Sequence, residues 1–189
     1  MKHTLDPHMF RHLSLEETCR TVADLGYDHV ELSPRPDFLS WWTRPKVWPE
    51  RVASFRKALK DHGLGLATLQ PMYRWASPYP DEWEAAIGNW KRAIEIAVEM
   101  DCPMVVSEFG RGGSPERSLN DRSGLHRPET CENQFFRAMD ILVPILEREG
   151  LTLSLEAHPE DWLEQIAPAM DIIRTIDSKA VKASFIAPH

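Results

Sequence analysis

What this chain lacks narrows its class before anything it contains. No stretch approaches the roughly 18 to 20 uninterrupted apolar residues of a membrane-spanning helix. The opening Met1-Lys-His-Thr-Leu-Asp-Pro7 has no apolar run of the signal-peptide kind. A cytoplasmic protein with no membrane contact is therefore expected. Cysteine is scarce: Cys19, Cys102 and Cys131 are odd in number and far apart, and no C-x-x-C pair is there to seed a zinc or redox site. Buried thiols in a reducing compartment are the expectation. Glycine (9 residues) is outnumbered by proline (15), and no low-complexity tract occurs. Basic residues number 22 against 29 acidic ones, a net charge of −7, which argues against a broad phosphate-binding surface and against nucleic acid as a partner.

What is present is an ordinary globular composition, 42% hydrophobic over 189 residues, enough for one domain spanning the whole chain. Helices are expected at about 14–25, 49–62, 81–100, 129–149 and 165–176. Ser14 with Glu17 forms a capping box, Pro49 suits a first turn, Asp81 can cap, and Pro128 precedes Glu129. Three of the helices run into Leu25-Gly26-Tyr27, His62-Gly63-Leu64 and Glu149-Gly150-Leu151, where a glycine closes the helix in a left-handed turn and a strand follows at once. The strands so fed are expected at 29–33, 64–70, 104–109 and 151–156, with a first at Thr4-Leu5 and a last at 181–187.

Helix-length connections between successive short strands imply parallel pairing through right-handed crossovers. That leaves a (β/α)8 barrel of the TIM type or an open doubly wound sheet. The first strand is followed by Pro7-His-Met-Phe-Arg-His12 instead of a glycine-rich phosphate loop, which favours the barrel. Complete barrels take about 250 residues and eight strands, whereas about six βα units are visible here. The last strands are therefore expected to be missing, or to be supplied by another chain, since a sheet ending at an apolar strand exposes an edge. A homo-oligomer or a partner subunit of another kind is expected for the same reason.

Leu151-Thr-Leu-Ser-Leu-Glu-Ala-His-Pro159 carries the most chemistry. It reads as a buried parallel strand whose last residues turn polar, and strand C-termini are where barrels keep their active groups. The same position on the other strands gives His8 and His12, Glu31, Gln70, Glu108, Glu156 with His158, and His189. Carboxylates and imidazoles converging on one mouth suit a divalent cation such as Mn²⁺, Mg²⁺, Co²⁺ or Zn²⁺. A structural hydrogen-bond pair is the alternative for Glu156 and His158. Trp41, Trp42 and Trp48 after the second strand, and Tyr73 and Trp75 after the third, are candidates to stack on a sugar face or an aryl group, or else core residues. Trp83 and Trp90 read as packing. Arg74 and Arg111 are candidates for an anionic substrate group.

Leu13-Ser-Leu-Glu-Glu-Thr18, Ala23-Asp-Leu-Gly-Tyr-Asp-His-Val-Glu-Leu32 and Leu153-Ser-Leu-Glu-Ala-His-Pro159 resemble the sugar phosphate isomerase/epimerase group of xylose-isomerase-like barrels, as the front two-thirds to three-quarters of a member. The resemblance implies that Glu156 binds a divalent metal and doubles as acid/base. It also implies a sixth strand ending Asp-x-x-His, with Asp on the metal and His on the substrate. Here that segment is Ile186-Ala-Pro-His189, so His189 matches and Ile186 cannot ligate. Apurinic-site endonucleases share the barrel but use histidines at the second and third strand ends, which here are Glu31-Leu-Ser33 and Gln70-Pro71.

The expected function is a metal-dependent isomerase or epimerase moving a proton next to a carbonyl of a sugar or sugar derivative. Glu156 is its acid/base and metal ligand, His158 and His189 orient hydroxyls, Glu31 and Glu108 line the floor, and Trp75 and His12 complete the substrate contacts. One alternative is a lyase subunit that cleaves 3-oxo-C-glycosides by β-elimination, as in C-glycoside deglycosidase α-subunits, which this chain also resembles. The other is a degenerate barrel acting as a binding or scaffold subunit, for which Ile186 is the best support.

Overall fold

A computed structural model of the chain describes residues 3–32, 49–110, 127–159 and 161–185. Along these residues run β1 (Thr4–Leu5), a 3₁₀ turn (Pro7–Phe10), α1 (Leu15–Asp24), β2 (His29–Leu32), α2 (Pro49–Asp61), β3 (Gly65–Leu69), α3 (Pro80–Glu99), β4 (Met104–Glu108), α4 (Pro128–Glu149), β5 (Thr152–Glu156), α5 (Ile166–Ile176) and β6 (Val181–Ala183). The six strands follow one another in the sheet in chain order, β1-β2-β3-β4-β5-β6. A doubly wound sheet reverses its strand order at a switch point, and no reversal occurs among the described residues. The fold is therefore of the barrel type, with six parallel strands and alternating helices, as expected. The chain forms two compact units, residues 1–71 with 92–105, and residues 72–91 with 106–189.

In the first unit β1, β2 and β3 pair in parallel, and Leu69 of β3 stands opposite Val105 of β4. The register slips by one between Val30, which faces Leu66, and Glu31, which faces Thr68, so Ala67 of β3 is the unmatched residue. Val30 and Leu32 are buried while His29 and Glu31 are half-buried, the alternation a strand imposes. The capping box at α1 forms as expected: Glu17 N–H donates to Ser14 Oγ at 3.3 Å, and Ser14 N–H donates to Glu17 Oε2 at 3.0 Å. Such a cap is worth about 1 kcal/mol. α1 buries Thr18, Cys19 and Val22, and α2 buries Val52, Phe55, Ala58 and Leu59, in each case one helical stripe. Burial of each larger side chain of this kind contributes roughly 1.5–3 kcal/mol. His62 Nε2 meets Glu16 Oε1 at 2.7 Å and ties the end of α2 to α1.

The second unit has an aromatic core. Trp75 and Trp90 stack at 4.1 Å between ring centroids with planes 6° apart, and Phe135 meets Trp75 edge-on at 5.6 Å. Phe109 packs on Phe135 at 5.3 Å and meets Trp162 edge-on at 5.9 Å. The edge-on contacts are of the kind that the ring quadrupole favours. α4 contributes Cys131, Phe135, Ala138, Met139, Leu142 and Leu146. β5 is buried from Leu153 through Glu156, as suits a strand covered on both faces, and it pairs in parallel with β6 from Leu153↔Val181 to Leu155↔Ala183. Ser154 and Ser184 share a hydroxyl–hydroxyl bond of 2.6 Å.

The three glycine turns adopt the left-handed backbone read from the sequence, with φ of 84°, 68° and 69° at Gly26, Gly63 and Gly150. Some boundaries differ. α3 starts at Pro80, so Asp81 lies inside the first turn instead of capping it. Pro80 needs no N–H there and brings a ready-made helical φ. Asp6 accepts a hydrogen bond from His8 N–H at 3.0 Å and so starts the 3₁₀ turn, which hydrophobic spacing does not signal. β6 is Val181–Ala183; residues 186 and 187 of the longer strand expected there lie outside the described residues. Among the described residues, no helix is long and apolar enough to cross a membrane.

Candidate functional site

The end of β4 and the loop after β5, both in the second unit, bring polar side chains together. Glu108 closes β4 and is 6% exposed; Glu156 closes β5 and is 5% exposed. Two residues on, His158 is about a quarter exposed on its side chain and places Nε2 3.9 Å from Glu108 Oε1. Its other ring nitrogen, Nδ1, lies 2.7 Å from the carbonyl oxygen of Pro159. A carbonyl only accepts, so Nδ1 donates to it, and Nε2 is the nitrogen turned toward Glu108. Asp161 completes the group with 0% exposure, its Oδ2 accepting from Gly110 N–H at 3.1 Å.

One ligand atom from each of Glu108, His158 and Asp161 lies within 4.8 Å of the others. Donor atoms gathered this closely can be shared by one cation. Two carboxylates and an imidazole with its far nitrogen pinned are an oxygen-rich donor set of the kind that takes Mg²⁺ or Mn²⁺. The residues present therefore fit the divalent ion that the sequence implied. Glu156, on which that expectation was centred, is not one of the three; it stands at the end of the neighbouring strand.

The structure brings Glu108 and His158 together, adds Asp161, and places the other candidates elsewhere. Glu31 sits at the end of β2 in the first unit, where Thr68 Oγ1 donates to its carboxylate. His12 is exposed just ahead of α1. Nearby, the Glu17 carboxyl is held below the usual range first by the Ser14 hydroxyl, then by the Ser14 backbone, with Arg20 and His12 adding smaller effects against desolvation. Trp75 is a correction. It is 0% exposed, stacked on Trp90, and its Nε1 donates to the Phe109 carbonyl at 3.1 Å. A ring so enclosed belongs to the core and presents no face to a sugar. Tyr73 meets Trp90 edge-on at 6.0 Å, and Arg74 pairs with Glu82 at 3.5 Å. His189, Ile186, Ser33, Trp41, Trp42, Trp48 and Arg111 lie outside the described residues. Asp161 escaped the sequence reading because it lies past Pro159, beyond the strand-end position used as the signal. The only hint was an acidic residue beside a tryptophan three positions after His158.

Parallel βα units in chain order, with carboxylates and a histidine gathered where β4 and β5 end, define the class as a barrel of the TIM type. The chain belongs to the xylose isomerase-like TIM barrel family, whose profile matches residues 19–189. None of the curated proteins matches it significantly by sequence. Among solved structures it is similar to a D-psicose 3-epimerase determined in the presence of D-fructose, at 15% identity and a TM-score of 0.75, covering 97% of this chain and 62% of that one. It is also similar to a family 2 AP endonuclease from Brucella melitensis, at 17% identity and 0.72, covering 97% and 67%. A third similar structure is a xylose isomerase-like TIM barrel protein from Mycobacterium smegmatis in complex with magnesium, at 20% identity and 0.62, covering 92% and 57%. The chain thus spans about three-fifths to two-thirds of these relatives' lengths. At these identities the likeness is one of fold.

Proposed function

We propose that this chain carries the proton-transfer half of a divalent-cation-dependent sugar isomerase or epimerase. In this reading Glu156 acts as acid/base, and Glu108, His158 and Asp161 hold the cation. The observation that carries it is the convergence of those three side chains within 4.8 Å at the end of β4 and the loop after β5, with Nε2 of His158 turned toward Glu108. A divalent cation bound there would polarise a substrate carbonyl and the hydroxyl beside it. Glu156 takes the proton from the carbon next to that carbonyl and returns it to the same or the adjacent carbon. Its near-complete burial keeps water from competing for the proton. The Pro159 carbonyl holds the His158 ring in one orientation, which lets Nε2 face cation or substrate without a rotamer search.

Structures of a D-psicose 3-epimerase and of a magnesium-bound barrel among the similar folds agree with a sugar substrate and a hard cation, and a small ketose or keto-sugar is the class proposed. The test is solvent exchange. With Mn²⁺ and a panel of ketoses and 3-oxo-glycosides in D₂O, the chain should wash deuterium into the position next to the carbonyl, and Glu156→Gln should remove that wash-in. Release of a phenol from a 3-oxo-C-glycoside would redirect the reading to β-elimination. Absence of both exchange and release with every substrate refutes the proton-transfer role.

A further inference from the structure

The Phe109–Gly110 peptide group is gripped at both poles by consecutive residues of another loop. Its carbonyl accepts two indole N–H bonds, from Trp75 at 3.1 Å and Trp162 at 3.0 Å. Its N–H donates to Asp161 Oδ2 at 3.1 Å. In a trans peptide the C=O and N–H point in opposite directions within one plane. Fixing the carbonyl therefore fixes where the N–H points, and with it the carboxylate that receives it. The dipeptide Asp161-Trp162 thus spans the peptide unit, one side chain on each pole. Trp75 and Trp162 are 0% and 7% exposed, so neither indole N–H has bulk water as a substitute acceptor. Gly110 has φ of 107°, where an L side chain is strained, and a Cβ there would press on Trp75 Cδ1 at 3.1 Å.

Phe109, whose carbonyl is held, immediately follows Glu108, the last residue of β4. The grip consequently locks the carboxylate-bearing end of β4 to the carboxylate-bearing loop after β5. We propose that Trp162 is a positioning residue for the cation site: through the Phe109–Gly110 peptide it holds Glu108 and Asp161 at a fixed separation, so that binding requires no ordering of the loop. The inference rests on the reading of Glu108, His158 and Asp161 as that site.

Trp162→Phe keeps the ring and deletes only the N–H. Trp83 supplies a matched control in the same unit, because it is 8% exposed and its Nε1 donates to the Gln134 carbonyl at 3.0 Å without touching the site. With the full chain, Mn²⁺ titration calorimetry should show affinity about five- to tenfold weaker in Trp162→Phe, the effect of one buried hydrogen bond, and unchanged in Trp83→Phe. Amide exchange at Gly110 should quicken in Trp162→Phe alone, and this reports the grip with no cation present. Equal Mn²⁺ affinity in Trp162→Phe and wild type, equal losses in both variants, or an unaltered Gly110 amide overturns the positioning role. Wild-type chain that takes up no Mn²⁺ overturns the cation reading itself, and the role that rests on it; the Gly110 amide then still tells whether the grip exists.

Discussion

Replacing glycine by alanine at three positions should give three different results, and the structure says why. Gly110 has φ of 107°, and a Cβ on it would sit 3.1 Å and 3.3 Å from Trp75 Cδ1 and Nε1 and 3.4 Å from the Ala76 Cβ. A left-handed backbone costs an L-residue roughly 1–2 kcal/mol. Overpacking against a ring that is stacked and hydrogen-bonded adds about 1–3 kcal/mol. Gly110→Ala should thus lose about 2–5 kcal/mol. At roughly 2–4 °C per kcal/mol for a chain of this size, the melting temperature falls by about 4–20 °C. Gly26 also has a positive φ, 84°, but nothing lies within 4 Å of its added Cβ, so Gly26→Ala should lose only the backbone part, about 1–2 kcal/mol. Gly88 is an exposed residue inside α3 with open space around it, and alanine there should stabilise by about 0.5–1 kcal/mol. Thermal unfolding followed by circular dichroism ranks the three. A Gly110→Ala protein that melts no lower than Gly26→Ala refutes the packing of the Phe109–Gly110 peptide against Trp75.

Three further outcomes follow from the site and the core. Glu156→Gln should cut substrate deuterium wash-in by about 10² or more, the usual worth of a general base, while Mn²⁺ affinity stays within about twofold; a large loss of affinity instead would make Glu156 a ligand. Asp161→Asn keeps the shape and the Gly110 contact but removes charge, and calorimetry should find Mn²⁺ binding weakened by at least about tenfold. Burial pushes the thiols of Cys131 and Cys102 up to about 11 and that of Cys19 up to about 12. The folded chain then keeps three protons that the unfolded chain loses near the ordinary thiol pKa of about 8.5. Their contribution to stability is complete below that pH and is lost as pH rises toward 11 to 12. Urea melts from pH 8 upward should show the decline, and Cys→Ser variants should flatten it.

The repeat was legible because it is written locally. A capping serine three residues before a glutamate, a proline at a first turn and a glycine at a helix end each act within one turn of chain, so α1, α2 and the three glycine turns emerge near their observed bounds. The polar ends of β4 and β5 were legible because apolar strands that turn acidic stand out. What escaped is long-range. Trp75 looks like a loop aromatic until Trp90 covers one of its faces and the Phe109 carbonyl takes its N–H. Asp161 gains its place only because Gly110, 51 positions earlier in the chain, offers it an N–H. No pattern within either segment records these encounters.

The proposed chemistry depends on the capture of a divalent cation by Glu108, His158 and Asp161. Mn²⁺ titrated into metal-free chain, with the melting temperature recorded alongside, measures it directly. Uptake of about one equivalent with an upward shift in melting temperature, both lost in a Glu108→Gln, Asp161→Asn double variant, is the predicted result, since a ligand that binds only the folded form must stabilise it. Uptake below about a tenth of an equivalent with an unmoved melting temperature would contradict it, as would binding that survives the double substitution.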